Sequence, residues 1–131
     1  PIALKITHCV CFYQADILLE KIADTQDLSR ILQERRLSEA QYRQIGAMIR
    51  YFHDCQVHHS DLNIHNILLD THGKFWLIDF DKCQIQQGNE WKQANLDRLL
   101  RSFYKEKGRL QIQFEESDWQ ALMAGYLQKN S

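Results

Sequence analysis

The stretch Val57–Lys82, VHHSDLNIHNILLDTHGKFWLIDFDK, decides the reading of this chain. It carries an Asp at position 61, an Asn at 66 and a further Asp at 79. Two apolar runs, Ile67-Leu68-Leu69 and Phe75-Trp76-Leu77-Ile78, are split by Thr71-His72-Gly73-Lys74. That pattern predicts a tight β-hairpin, because a Gly-bearing polar turn joins two short apolar strands. The hairpin would return Asp79 to the side of Asn66, with Asp61 on the loop ahead of them. Mg²⁺ takes few hard oxygen ligands from protein and keeps several waters, so Asn66 and Asp79 suit a metal and phosphate site. Phosphoryl transfer to an alcohol also needs a carboxylate that orients the hydroxyl and accepts its proton. Asp61 fits that part.

Each residue taken singly has a plainer reading. An Asp at a strand end commonly caps a turn, a loop Asn commonly bonds its own backbone, and a lone His is commonly packed or solvated. The joint pattern is what separates this stretch from those readings: His-x-Asp, Asn after four more residues, a hairpin, then Asp-Phe.

The rest of the composition sets limits. A chain of 131 residues that is 44% hydrophobic suffices for one domain with its own core. A net charge of −1 argues against a broad nucleic-acid footprint. No run approaches the ~18 apolar residues of a membrane span. Cys9, Cys11, Cys55 and Cys83 form no CxxC pair, so reduced thiols are expected rather than a zinc ribbon or a disulfide framework.

In chain order, residues 2–13 and 15–22 are apolar and rich enough in extended-favouring residues to predict an antiparallel strand pair. Leu28, Ile31 and Leu32 predict a helix capped by Thr25 or Asp27. Ser38-Glu39-Ala40-Gln41 is a capping-box pattern. Tyr42, Ile45, Met48, Ile49 and Phe52 follow it as one apolar stripe, with Arg43, Gln44, Arg50 and His53 on or near the wet side. Residues 84–89 read as a loop, 90–107 as a long helix stopped by Gly108, and Ser117-Asp118 as the opening of a last helix.

His59-Ser60-Asp61-Leu62-Asn63-Ile64-His65-Asn66 resembles the catalytic loop H-R-D-L-x-x-x-N of protein-kinase-like phosphotransferases, and Asp79-Phe80-Asp81 resembles their D-F-G. More narrowly, SDLNIHNILLD, FWLIDFDKC and WKQANLDRLLRSF look like the bacterial 3-deoxy-D-manno-octulosonic acid (Kdo) kinases of lipopolysaccharide core assembly. The resemblance runs over nearly the whole chain. It implies an α+β fold, with 1–22 as the end of an amino-terminal lobe and its hinge strands and 23–131 as a mainly helical carboxy-terminal kinase lobe. It also implies ATP and Mg²⁺, and phosphorylation of the 4-hydroxyl of Kdo on a lipid A precursor. Asp61 would then be the catalytic base, Asn66 and Asp79 the metal ligands, and Glu20, Lys21 and Ile22 the hinge that binds adenine. His59, Asn63, Phe80 and Asp97 would support the loop, Asp97 through its backbone amides, and Arg98 and Arg101 would contact the acceptor. The same resemblance implies a cytoplasmic protein, peripheral to the inner membrane, with no nucleic-acid partner.

The departures from the kinase pattern narrow these expectations. Ser60 stands where regulated protein kinases carry an Arg that pairs with a phosphorylated activation loop. Asp81 replaces the Gly, and only about ten residues separate Asp79 from the next predicted helix. These changes point to a small-molecule or glycolipid acceptor rather than a protein. No G-x-G-x-x-G precedes the hinge, and Lys5 lies too close to it to be the strand Lys of a complete kinase. The expectation is that the remaining amino-terminal lobe lies upstream of Pro1 and that 1–131 alone is inactive. Another small-molecule kinase, for heptose or an aminoglycoside, and a non-catalytic kinase-like binding module are the alternatives.

Overall fold

The turn after residue 70 closes on one carboxylate. Asp70, nearly buried, accepts the backbone N–H of His72 at 2.8 Å and of Lys74 at 2.9 Å, and the indole N–H of Trp76 at 2.9 Å. Gly73 takes φ +83°, a left-handed conformation that costs Gly nothing. The expected hairpin follows from these bonds. The computed structural model describes residues 25–128, apart from the side chain of Phe80. The expected strand pair of 2–22 and the hinge at Glu20, Lys21 and Ile22 therefore lie outside the described residues, as does the Phe80 side chain.

The described elements are β1 (Thr25–Asp27), α1 (Leu28–Glu34), α2 (Glu39–Asp54), β2 (Val57–His59), β3 (Ile67–Asp70), β4 (Phe75–Leu77), β5 (Cys83–Ile85), α3 (Glu90–Arg109) and α4 (Glu116–Leu127). Single 3₁₀ turns at Ile64–Asn66 and Phe80–Lys82 sit in the central stretch. The arrangement is α+β. One antiparallel sheet has the order β1-β3-β4, with Ile67 opposite Leu77 and Thr25 opposite Asp70. A second pairs β2 with β5, placing His59 opposite Cys83.

Two strands were not expected. Residues 25–27 are polar throughout, and 83–85 are a three-residue run too short to show the alternation of a strand. They become strands because β3 and β2 offer unpaired backbone edges, and buried N–H and C=O groups must find partners. Asp27 still caps α1, its carboxylate accepting the N–H of Arg30 at 3.1 Å. The long helix α3 runs through Gly108 to Arg109, and the left-handed residue beyond it is Gln111, φ +58°. Cys83 is a free thiol.

The Ser38 capping box forms as expected, with Gln41 N–H donating to Ser38 Oγ at 3.1 Å and Ser38 N–H to Gln41 Oε1 at 3.0 Å. It starts α2 so that Tyr42, Ile45, Ile49 and Phe52 face inward. Helix α4 crosses this face at very short range. A Cβ on Gly46 would lie 1.9 Å from the Leu122 carbonyl oxygen, and one on Gly125 would lie 2.1 Å from that of Arg43. Phe103 from α3 stacks on Phe114 at 4.3 Å between ring centroids, with Tyr42 tilted against both.

His53 corrects its expected place near the wet side of α2: it is 1% exposed. A chain of hydrogen bonds satisfies it. Tyr126 Oη lies 2.6 Å from His53 Nδ1, His53 Nε2 lies 2.8 Å from Asn95 Oδ1, and Asn95 Nδ2 donates to the His59 carbonyl at 2.9 Å. The carbonyl accepts only, so Asn95 presents its oxygen to His53. His53 is then protonated at Nε2 and accepts from the Tyr126 hydroxyl at Nδ1. A buried polar chain thus joins α4, α2, α3 and β2.

Two stability predictions follow. Gly125→Ala and Gly46→Ala in the full-length protein should each lose about 3 kcal/mol, because backbone faces backbone and has nowhere to relax. Gly108→Ala, with nothing within 4 Å of its added Cβ, should gain up to ~1 kcal/mol from helix propensity; urea midpoints measure all three. Burial pushes the His53 imidazole down from 6.5 to about 4. The unfolded chain therefore binds the extra proton between these pH values, so stability falls as pH drops from 6.5 to 4, by on the order of 3 kcal/mol at full extent. Denaturation midpoints against pH should show this component in the wild type and lose it in His53→Gln.

Candidate active site

The loop after β2 is held by its backbone. His59, 2% exposed, lies with Nε2 at 2.8 Å from the Ile78 carbonyl and Nδ1 at 3.1 Å from the Asp61 N–H. A carbonyl cannot donate, so Nε2 carries the proton and Nδ1 accepts from Asp61. One neutral ring thereby ties the loop to the end of β4. Asn63 Nδ2 and Asn66 Nδ2 both donate to the Asp61 carbonyl at 2.8 Å. Ser60 donates from N and Oγ to the Lys82 carbonyl at 2.9 and 2.8 Å. Asp61 is thus fixed at its N–H and its C=O, while its carboxylate stays 43% exposed and, among the described residues, meets Arg98 Nη1 at 3.4 Å.

The ligand candidates converge by the same backbone logic. Asn63 Oδ1 accepts the His65 N–H at 2.8 Å and starts the 3₁₀ turn Ile64–Asn66. Asn66, 8% exposed, spends its amide N–H on Asp61, which leaves Oδ1 without a hydrogen bond among the described residues. The Ile78 N–H donates to the Asn66 carbonyl at 3.0 Å, so Asp79 emerges beside Asn66 as expected. Asp79 takes φ +73°, uncommon outside Gly and a conformation held only where neighbours impose it. Its carbonyl accepts the Lys82 N–H at 3.0 Å, closing the next turn. A hydrogen bond with the Asp81 carboxyl, then desolvation and Asp81's charge, raises the Asp79 pKa. Two crowded carboxylates beside a free amide oxygen are a donor set that suits a hard divalent cation.

Helix α3 supplies supports that the sequence reading missed. Asn95, rather than Asp97, holds the loop: it donates to the His59 carbonyl, while Asp97 accepts from Gln93 Nε2 on its own helix at 2.9 Å. The reason is helical phase. Trp91, Asn95 and Leu99 share the buried face, and Asp97 falls off it. An Asn within that apolar stripe was the available signal, since a buried amide must be satisfied. Ser102 Oγ accepts the Ile64 N–H at 3.2 Å. Glu106, 1% exposed, takes both Arg109 Nε and Nη2 at 3.0 Å and His65 Nε2 at 3.0 Å. The Arg109 hydrogen bonds lower its pKa foremost, ahead of the His65 contribution.

Cavities open on both sides of the loop. One of about 860 Å³ runs along α3 from Asp61 past Arg98 and Arg101. The other, about 450 Å³, has Leu68 and Ile78 as its apolar wall, with Thr25, Asp27 and Arg30 around it. His65 borders both.

The profile of the lipopolysaccharide kinase (Kdo/WaaP) family matches residues 1–126. The chain is 55% identical over 118 residues to a 3-deoxy-D-manno-octulosonic acid kinase of Pasteurella multocida, covering 88% of this chain and 49% of that protein. It is 51% identical over 126 residues to the kinase of that name from Vibrio vulnificus strain YJ016, covering 96% and 53%. With the one from Haemophilus influenzae strain PittEE the identity is 52% over 134 residues, covering 98% and 55%. The chain spans about half the length of these curated relatives. With the whole central stretch inside the matched region, the chain belongs to the lipopolysaccharide kinase (Kdo/WaaP) family.

Proposed function

We propose that this chain supplies the reacting half of an ATP-dependent sugar kinase that phosphorylates the 4-hydroxyl of Kdo on a lipid A precursor. Family membership supports the reaction class. The single observation that carries the site is the fixed backbone and half-exposed carboxylate of Asp61 beside the Asn66–Asp79 pair. In this reading residues 23–131 are the carboxy-terminal lobe of a protein-kinase-like fold. Residues 1–22 end an amino-terminal lobe, with Glu20, Lys21 and Ile22 as the adenine hinge.

Asp61 accepts the proton of the acceptor hydroxyl as its oxygen attacks the γ-phosphorus, and ADP leaves with the bridging oxygen. Arg98 must give up its long contact with Asp61 and turn to the acceptor, and Arg101 lines the same cavity farther along α3. Asn66 Oδ1 and the Asp79 carboxylate would hold Mg²⁺, which neutralises phosphate charge when bound. The wall made by Leu68 and Ile78 suits the flat face of adenine. His59 and Asn63 hold the loop through its backbone, and the family reading gives Phe80 a supporting part as well. No helix among the described residues is long and apolar enough to cross a membrane; the family reading puts the protein on the cytoplasmic face of the inner membrane as a peripheral protein.

The test is phosphate transfer from radiolabelled ATP to a Kdo-lipid A precursor by the full-length protein. Asp61→Ala should lower kcat by roughly 10²- to 10⁴-fold with the fold intact by circular dichroism. Asp79→Asn should raise the Mg²⁺ concentration needed for half-maximal rate. Transfer by the Asp61→Ala protein at the wild-type rate would remove Asp61 as the base. A wild type that transfers phosphate only to a heptose acceptor, or to none, would favour the corresponding alternative.

A further inference from the structure

The larger cavity carries more positive charge than one acceptor carboxylate requires. Arg98, Arg101, Lys105 and Arg109 line it, against the carboxylates of Asp61 and Glu106. Both carboxylates are already engaged, Asp61 by Arg98 and Glu106 by Arg109 and His65. Arg101 and Lys105 are exposed and, among the described residues, have no ion-pair partner. They sit four residues apart on one face of α3, where like charges repel and cost helix stability. Lys105 lies about 10 Å along the helix axis from Arg98, the residue that touches Asp61. The half-exposed ring of Tyr104, held edge-on to Phe114 at 5.5 Å, adds an apolar wall beside them.

We infer that Arg101 and Lys105 form an anion subsite for a second oxyanion of the acceptor, borne on a sugar other than the one phosphorylated. The inference rests on the phosphotransferase reading of Asp61 and adds to it what the acceptor must look like. The reacting sugar occupies the end of the cavity at Asp61 and Arg98. The neighbouring sugar extends along α3, where its phosphate or carboxylate joins the two cations and relieves their repulsion. Guanidinium and ammonium together suit this, the one by its planar fork and the other by a mobile point charge.

The experiment compares the full-length wild type with R101Q/K105Q on two soluble acceptors. One is a Kdo glycoside of a phosphorylated glucosamine, and the other is the same glycoside after phosphatase treatment. The double variant should raise KM for the phosphorylated acceptor roughly tenfold or more, change KM for the dephosphorylated one less than about twofold, and leave KM for ATP alone. R101K/K105R should restore the phosphorylated acceptor's KM. Equal effects on the two acceptors, or none on either, would overturn the subsite. So would loss of binding to phosphatidylglycerol vesicles with an unchanged acceptor KM, which would make the patch a membrane contact. Calorimetry of the phosphorylated glycoside separates the two levels of the argument. If the wild type binds it and R101Q/K105Q does not, the subsite stands even where no phosphate is transferred.

Discussion

The His59 ring is the contact on which the site depends. It accepts from the Asp61 N–H and donates to the Ile78 carbonyl, so a single neutral imidazole sets the distance between the loop that carries Asp61 and the strand end that presents Asp79. Both partners are backbone groups. The Asp61 carboxylate is therefore left outside these bonds, and the burial of His59 keeps water from competing for either of them. A second layer fixes the ring's own strand, because Asn95 holds the His59 carbonyl and β5 pairs alongside.

That second layer ties the site to the helical body. The chain Tyr126–His53–Asn95–His59 starts at the end of α4 that is pressed against α2 through Gly46 and Gly125. Close backbone approach is what lets Tyr126 reach His53 across that interface. Packing geometry and hydrogen-bond geometry are one constraint here, and a change at the glycines would be felt at the loop. Helix α3 contributes on both of its sides, through Asn95 and Ser102 inward and through Arg98, Arg101 and Lys105 along the cavity.

Much of the fold was legible because it rests on local chemistry. The Ser38–Gln41 box, the Asp27 cap and the hairpin around Gly73 are each written in adjacent residues. The return of Asp79 to the side of Asn66 was legible because a short hairpin fixes where its second strand ends. What stayed hidden depends on partners far along the chain. β1 and β5 are strands only because other strands need edges, and His53 is buried only because Asn95 and Tyr126 satisfy it. The choice between Asn95 and Asp97 turned on helical phase: two residues round a helix separate a buried face from a wet one. The family resemblance pointed to the acidic residue, whereas the buried position on the apolar face belongs to the amide.

The most direct measurement is the ¹⁵N NMR spectrum of the His59 side chain in the full-length protein at neutral pH. The account predicts a neutral ring, protonated at Nε2, with a lone pair on Nδ1 that accepts the Asp61 N–H. An imidazolium, or the tautomer protonated at Nδ1, would contradict it, because neither leaves an acceptor for Asp61 and the loop would have to be held in some other way.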